Sequence, residues 1–323
     1  MGLRLNVLDQ SPIAEGATQG EALRNSIELA GVAERFGYSR YWVAEHHGTP
    51  GLACNGPEVL MGPIAAATSR IRVGSGGIML PHYSPLKVAE NFSMLASLYP
   101  GRVDLGIGRA PGTTGAVARA LQRDRRAAPR DDFPEQLEEL FGYFENRVAG
   151  LPRFTAPEIY LLGSSGQSAV WAAEMGLPYV FADFISPTGV PLAAWYREHF
   201  VASEWCKEPR VAVCAWAICA ETDEAAMRLS YSMRMTFVNL FRGKQMAVPT
   251  VETAAEFLAK EGVSPERLPE GRRILTGSPA TITAKLEDVV QQYQADELFV
   301  VSIIHDHAAR VRSYELIARE FGL

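Results

Sequence analysis

The feature that most constrains the fold is a series of eight short apolar runs along the 323 residues. These runs are residues 3–8, 41–45, 71–80, 102–108, 158–163, 179–182, 210–220 and 297–304. They are apolar on both faces, as expected for strands of a parallel sheet that is covered on each side. Segments with helical periodicity lie between them, for example 21–37, 84–101 and 168–177. The pattern predicts an α/β fold, a (β/α)8 TIM barrel, with residues 1–323 as a single domain.

Residues that end or begin helices agree with this interpretation. Gly37, Gly101 and Gly176 follow the helical segments, where a glycine readily ends a helix. Ser84 and Pro85 have the order expected of an N-cap followed by proline at the first helical position.

Two segments are longer than a plain barrel needs: residues 109–157 after the fourth strand and 222–278 after the seventh. Because both follow strands, they belong to the face where barrel active sites lie. Arginines stand at positions 119, 123, 125, 126 and 130 of the first insertion. They indicate either a lid that receives an anionic ligand or a solvated loop offset by Asp124, Asp131 and Asp132.

The composition limits the classes of binding partner and the cellular compartment that we expect for this chain. The formal net charge is −6 and the pI is about 5.6, so a basic surface for nucleic acid is not expected and a small-molecule partner is. The cysteines, at positions 54, 206, 214 and 219, have no CxxC spacing and read as reduced core thiols. The N-terminus has no signal-like core and no long apolar span follows, which predicts a cytoplasmic protein without a membrane segment.

Candidate functional residues follow the predicted strands, because the loops after barrel strands converge on one site. The set comprises Asp9, Gln10, Glu45, His46, His47, Gly76, Gly77, Gly108, Arg109, Gly163, Ser164 and Ser165. The stretch YWVAEHHGTPG contributes a glutamate and two adjacent histidines. Neighbouring residues of an extended chain point to opposite sides, and neither HxH nor HExxH occurs, so we expect no metal site.

Glu45 and His46 are predicted to form an acid/base or orienting pair, since imidazole titrates near neutral pH. The alternative is that Glu45 caps a neighbouring strand end while His46 only packs.

Arg109 and the Gly163–Ser164–Ser165 turn predict a phosphate site. Arg109 follows the glycines of DLGIG, and guanidinium groups bind phosphate in a forked geometry. The segment LLGSSGQSA indicates a strand, a turn and a helix start, where free backbone N–H groups and the helix dipole favour an anion. The alternatives are a surface ion pair for Arg109 and simple helix capping by Ser164 or Ser165.

These residues lie within motifs that run in order along almost the whole chain. The motifs are LDQSPI, WVAEHHG, GGIMLPHYSPLKVAENFSMLASLYPGRVDLGIGRAPGT, LLGSSGQSA, GLPYVFA and DHAARVRSYELIA. With them the sequence resembles the bacterial luciferase-like flavin monooxygenases, particularly the single-chain luciferase-like oxidoreductases.

The resemblance implies an FMN-dependent monooxygenase that uses reduced FMN and O2, through a C4a-peroxyflavin, to oxygenate a small organic substrate. It also implies a homodimer in a two-component system, with a separate flavin reductase as partner. Arg109, Ser165 and Ser168 match the family's phosphate contacts, Glu45 and Gly77 would lie by the isoalloxazine, and His46 matches the catalytic histidine. A non-prolyl cis peptide bond is expected at Gly76-Gly77, where glycine makes it least costly.

Two departures from the family pattern surround the pocket: DFISP follows GLPYVFA without the expected histidine, and Gln167 replaces a common aromatic residue. Hydride transfer with the deazaflavin F420 and flavin binding without catalysis remain as alternatives. We expect the reaction to belong to natural-product (polyketide) tailoring. We also predict that residues 109–130 are mobile without flavin and become ordered when it binds.

Overall fold

The eight predicted runs form the strands of a closed parallel barrel. The computed structural model describes residues 2–110, 115–121, 131–186, 188–262 and 274–323. The barrel strands are β1 (Arg4–Asp9), β2 (Arg40–Val43), β3 (Arg72–Met79), β4 (Val103–Gly108), β5 (Glu158–Gly163), β6 (Tyr179–Ala182), β7 (Val211–Cys219) and β9 (Glu297–Val301). Each pairs with its neighbour in chain order, and β9 pairs with both β7 and β1 to close the barrel.

A further strand, β8 (Leu275–Gly277), was not predicted. It pairs with Ala217–Cys219 of β7, beyond the Ala212–Trp216 stretch that pairs with β9. Three residues are too few to produce a recognisable apolar pattern, so this strand depends on β7 being long enough to offer a free edge.

Helices surround the barrel as expected from the alternation. They are α1 (Gln19–Arg35), α2 (Pro57–Ala67), α3 (Pro85–Leu98), α4 (Gly115–Leu121), α5 (Phe133–Phe144), α6 (Gly166–Glu174), α7 (Val190–His199), α8 (Asp223–Leu229), α9 (Tyr231–Phe241), α10 (Val251–Lys260), α11 (Pro279–Tyr293) and α12 (His307–Glu320), with a 3-10 turn at Leu80–His82. None of the helices described is long and apolar enough to cross a membrane.

The predicted helix boundaries hold within a few residues. Ser84 precedes Pro85 at the start of α3, although its side chain makes no capping hydrogen bond. Gly37, Gly101 and Gly176 follow helices with positive φ angles between 63° and 89°, a conformation that favours glycine.

The two predicted insertions hold the elements that a plain barrel lacks. Helix α4 follows β4, while α8, α9, α10 and β8 follow β7. The segment after α9 is attached to the first strand's loop, because Val248 N donates to Ile13 O and Glu15 N donates to Val248 O, both at 2.8 Å. Arginines 123, 125, 126 and 130, and most of the predicted 109–130 lid, lie outside the described residues.

The two ends of the barrel differ in chemistry. Arg40 at the start of β2 is fully enclosed and bonds Asp104 at 2.8 Å, Glu297 at 2.9 Å and Glu158 at 3.2 Å. These residues occupy the first or second position of their strands, so the ion network fills the N-terminal end of the barrel. The C-terminal end is therefore the open end of the barrel.

Candidate active site at the carboxyl ends of the strands

The C-terminal end of the barrel opens into a cavity of about 530 Å³. Residues from several strand ends and from the segments that follow them line it together: His46, His47, Gly76, Gly77, Gly108, Arg109, Gly163, Ser164, Ser165 and Ser168. Asp9 and Glu45 of the predicted set are fully buried and do not belong to this lining. Such a volume lies in the range typical of small-molecule sites.

Glu45 pairs with His47 and not with His46. Its Oε1 lies 2.7 Å from His47 Nε2, and its Oε2 accepts a hydrogen bond from Met79 N at 2.9 Å. The reason is the alternation of side chains along an extended chain, which places residues i and i+2 on one side. The predicted Glu45–His46 pair is therefore replaced by a Glu45–His47 pair, which the same alternation could have indicated.

His46 continues the series of side chains that point into the barrel, after Trp42 and Ala44. Its backbone is held on both sides, since its N–H donates to Cys54 O at 3.0 Å and its carbonyl accepts from Asn55 Nδ2 at 2.6 Å. Burial, and secondly the nearby charge of His47, lowers the pKa of His46 from its usual 6.5 to about 4. The imidazole is therefore neutral at physiological pH.

One ring nitrogen of His46, Nδ1, is buried and has no hydrogen-bond partner within the described ranges. Buried polar atoms in proteins almost always have partners, so this orphaned nitrogen on a cavity-lining residue makes His46 a candidate for a functional role.

Acidic and aromatic neighbours surround the Glu45–His47 pair. The ring of His82 lies edge-to-face on His47 with centroids 5.7 Å apart. Burial raises the pKa of Tyr83 and that of Glu58, and the charge of Glu45 raises both further. The pair therefore lies in a crowded, largely enclosed pocket wall, where it can hold the neighbouring backbone in place.

The peptide bond between Gly76 and Gly77 is cis, as predicted. A Cβ atom on Gly77 would lie 2.8 Å from Gly106 O, and one on Gly76 would lie 2.4 Å from Leu8 Cδ1. At Gly77 the obstacle is backbone, so only glycine fits there, whereas a side chain at Gly76 would require the end of Leu8 to shift. The backbone itself therefore forms this part of the cavity surface.

Arg109 extends over the cavity mouth. Its guanidinium lies 5.4 Å from the centre of the Trp171 ring, and its Nη1 lies 3.1 Å from Asp131 Oδ2. Both charged groups are largely exposed, so this ion pair is readily exchanged for a ligand. The surface ion pair, which was the alternative interpretation of Arg109, is thus present, and Arg109 also lines the cavity.

The turn before α6 combines helix capping with cavity lining. Ser165 is the N-cap and accepts from Ser168 N at 3.4 Å. The Ser168 hydroxyl donates to Ser165 O at 2.7 Å and lies 3.0 Å from Tyr179 Oη, so it is engaged within the protein. Ser164 and the backbone N–H groups of the first turn remain for an anion.

Sequence reasoning missed one part of the cavity. Phe184, Trp216, Met233, Phe237 and Leu240 line it, from the β6 loop, β7 and α9. Every second residue of β7 points into the barrel, so alternation within the run could have indicated Trp216. The contribution of α9 depends on how the insertion folds back, which no local pattern reports. The four cysteines are buried and free, as predicted.

The barrel and the site define the class as a (β/α)8-barrel protein with a cavity at the strand carboxyl ends. The family model of the luciferase-like monooxygenases matches residues 3–297. The chain therefore belongs to the luciferase-like monooxygenase family and is a monooxygenase of this type.

Relatives extend over almost the whole chain. Protein YvbT of Bacillus subtilis is 45% identical over 97% of this chain and 95% of its own length. The luciferase-like monooxygenase of Escherichia coli is 38% identical over 97% of this chain and 96% of its own. The N-acetyl-S-alkylcysteine monooxygenase of Bacillus subtilis is 34% identical over 98% of this chain and 97% of its own.

Solved structures agree with the fold. The crystal structure of apo-MsnO8 has a TM-score of 0.92 and 40% identity, covering 100% of this chain and 99% of that one. The oxygenating constituent of 3,6-diketocamphane monooxygenase in complex with FMN shares the fold at a TM-score of 0.75 and 21% identity, over 99% and 97% of the two chains. An F420-dependent secondary alcohol dehydrogenase does so at 0.69 and 13%, over 99% of each chain.

Proposed function

We propose that this enzyme uses reduced FMN and O2 to insert one oxygen atom into a small organic substrate. The single observation that carries the proposal is that Arg109, the N-terminus of α6 and His46 line one cavity at the carboxyl ends of the strands. Family membership supports the monooxygenase reaction, and the FMN complex of 3,6-diketocamphane monooxygenase supports the choice of flavin. The proposal includes a homodimer and a separate reductase that supplies reduced FMN.

The residues present fit a flavin mononucleotide. Arg109, Ser164, Ser165 and the N–H groups of the first turn of α6 would hold its phosphate, with Gly163 and Ser168 shaping the turn. The backbone at Gly76 and Gly77 would accept its ring system, and Glu45, which is fully buried, would support this part of the cavity surface. When bound and reduced, the flavin supplies the activation of O2.

The chain's own residues have three tasks in this reaction. His46 is neutral and lines the cavity, so its imidazole can accept or hold a proton there. Glu45 positions the site, because it bonds both His47 and the Met79 N–H next to the cis peptide. The apolar cavity surface excludes water, which favours oxygen transfer over loss of peroxide.

The experiment is a comparison of FMN affinity in the wild type and two arginine variants by calorimetry. Arg109→Ala should weaken FMN binding by about 1.5 to 3 kcal/mol, the range for a hydrogen bond to a charged group. Arg228→Ala is the matched control, because Arg228 is an exposed arginine in an ion pair with Glu252 and lies outside the cavity lining. Equal affinities in wild type and Arg109→Ala would rule out this phosphate site.

The same preparation separates the alternatives. Oxygen consumption and product formation with reduced FMN support the monooxygenase, whereas substrate turnover only with F420 supports hydride transfer. FMN binding without product from a broad set of candidate substrates would favour a non-catalytic flavin carrier.

A further inference from the structure

Part of the cavity is formed by aromatic side chains that the proposed cofactor contacts do not involve. Phe184, Trp216 and Phe237 form this part, called here the aromatic wall. The Trp216 ring lies 4.8 Å from that of Phe184 and 4.4 Å from that of Phe237, measured between centroids. All three are at least nine-tenths buried in the fold yet line the cavity. They are packed on one another and therefore present a rigid apolar surface.

The polar groups beside the aromatic wall are engaged or uncharged. Thr236 Oγ1 donates to Ser232 O at 2.9 Å, so its hydroxyl serves the helix. Burial raises the pKa of the Cys214 thiol, which keeps it neutral. A charged group of a ligand would therefore find no counterion against this surface, and burying an unpaired charge is strongly unfavourable.

Among the described residues of the lining, the side chains with a permanent formal charge are Arg109 and Lys244, and His47, which is bonded to Glu45, carries one only when protonated. Arg109 belongs to the proposed phosphate end. Lys244 is exposed, on the turn that follows α9, and makes no hydrogen bond or ion pair with its side chain within the described ranges. An anionic group of a ligand could be accommodated at this edge and not deeper.

The apolar surface continues outward to the cavity mouth. Ile185 and Leu240 line the cavity, although they are 45% and 48% exposed. Large exposed apolar side chains at the rim of a pocket are typical of a surface that meets an apolar ligand. These two residues, called here the lip, extend the aromatic wall to solvent.

We propose that the substrate is a neutral, ring-containing apolar molecule whose body lies on the aromatic wall and reaches the lip, with any anionic group outside at Lys244. This inference rests on the proposed function in taking the cavity as the place of oxygenation. It excludes small polyanions, such as chelators that carry several carboxylates, because one carboxylate would have to enter the uncharged region.

The test measures binding of two probes with the same three-ring skeleton by calorimetry, with FMN present. The probes are 9-fluorenone, which is neutral, and 9-fluorenone-2,7-dicarboxylate, which carries an anion at each end. We expect the neutral probe to bind at least about tenfold more tightly, because one carboxylate of the other probe must lose its water without gaining a partner. Equal affinities, or tighter binding of the dicarboxylate, would overturn the proposal, as would failure of 9-fluorenone to bind.

Two exposed leucines locate the binding surface. Leu240→Glu places a carboxylate on the lip and should weaken 9-fluorenone binding by about fivefold or more. Leu98→Glu is the control, since Leu98 is 66% exposed on α3 and does not belong to the cavity lining. Its effect should stay within about twofold. Equal effects of the two substitutions would place the probe elsewhere and refute the assignment.

The outcomes separate the substrate class from the proposed function. If FMN fails to bind while the protein alone prefers the neutral probe and depends on Leu240, the substrate class stands and the flavin assignment fails. If FMN binds and the dicarboxylate binds as well as the neutral probe, the substrate class fails and the flavin assignment stands.

Discussion

At the scale of single residues, two adjacent histidines have different surroundings and so different tasks. His46 points into the barrel with a buried, unpartnered Nδ1, whereas His47 bonds Glu45 at 2.7 Å. The first is suited to proton exchange with a ligand, and the second completes the structure that holds the cavity surface.

His46→Ala tests the first task. We expect affinity for reduced FMN to stay within severalfold, while substrate oxygenation falls by about 10²- to 10⁴-fold, the range for a lost acid/base group. Peroxide release per O2 consumed should rise as coupling fails. The measurement is the ratio of product to peroxide with one substrate for all variants.

His47→Ala is the comparison variant for that experiment. It removes the partner of a fully buried carboxylate, so it should lower stability more than it lowers oxygenation. Full product yield from His46→Ala would remove this residue from the mechanism.

The lowered pKa of His46 predicts a pH dependence of stability. Between about pH 6.5 and pH 4 the unfolded chain binds a proton at His46 that the folded chain does not, so this residue's contribution is lost as the pH falls. Between pH 7 and about pH 4.5 the wild type should therefore lose about 2 kcal/mol more unfolding free energy than His46→Gln. Urea unfolding at both pH values checks this.

His199→Gln supplies the control for the pH experiment, since His199 is exposed on α7. This variant should follow the wild type at both pH values. A His46→Gln curve parallel to that of the wild type would mean that His46 is protonated equally in the folded and unfolded chains.

At the scale of elements, the end of β5 and the start of α6 pack directly against each other. Gly163 ends β5, and Ser168 of α6 packs directly over it. The turn between them is the predicted phosphate contact. Because residue 163 is a glycine, Ser168 can pack against it, and the shape of the turn depends on this.

Gly163→Ala should disturb this turn, because a Cβ there would lie 2.1 Å from Ser168 Oγ and 2.4 Å from Ser168 Cβ. We expect a loss of about 1 to 3 kcal/mol in stability, as for other overpacked sites, together with weaker FMN binding. Thermal unfolding and calorimetry measure the two effects.

Gly166→Ala, three residues later, serves as the counterpart. A Cβ at Gly166 would meet only Leu192 Cδ2, at an ordinary 3.7 Å. Stability and FMN affinity should remain close to those of the wild type. Similar losses in both variants would argue against a specific role for the space above Gly163.

At the scale of the whole molecule, the barrel has one closed and one open end. The Arg40 network fills the N-terminal end. Burial there raises the pKa of Glu158, but the charge of Arg40 and the hydrogen bond from Arg210 hold it at about 2. The C-terminal end carries the cavity, with the insertion after β7 attached beside it. The ion network that stabilises the barrel and the cavity proposed as the active site thus lie at opposite ends of the barrel.

Arg40→Met tests this separation. It leaves Asp104 and Glu297 buried with less compensation, so the free energy of unfolding should fall by about 3 to 5 kcal/mol. FMN affinity should change less than twofold, because the network is remote from the cavity. A large loss of affinity in protein that is still folded would contradict the separation.

The amino-acid sequence by itself determined the barrel. Apolar runs, helical periodicity and glycines that follow helices are local patterns, and each of them indicates a strand, a helix or a helix end directly. It also indicated which strand ends carry functional groups, since parallel strands bring their carboxyl ends together whatever the loops do. The tertiary structure decided the short β8 strand and the aromatic wall of the cavity. These depend on how β7 extends past β9 and how α9 folds back over the mouth. Such contacts join residues far apart in the chain, and the local pattern around each residue does not encode them.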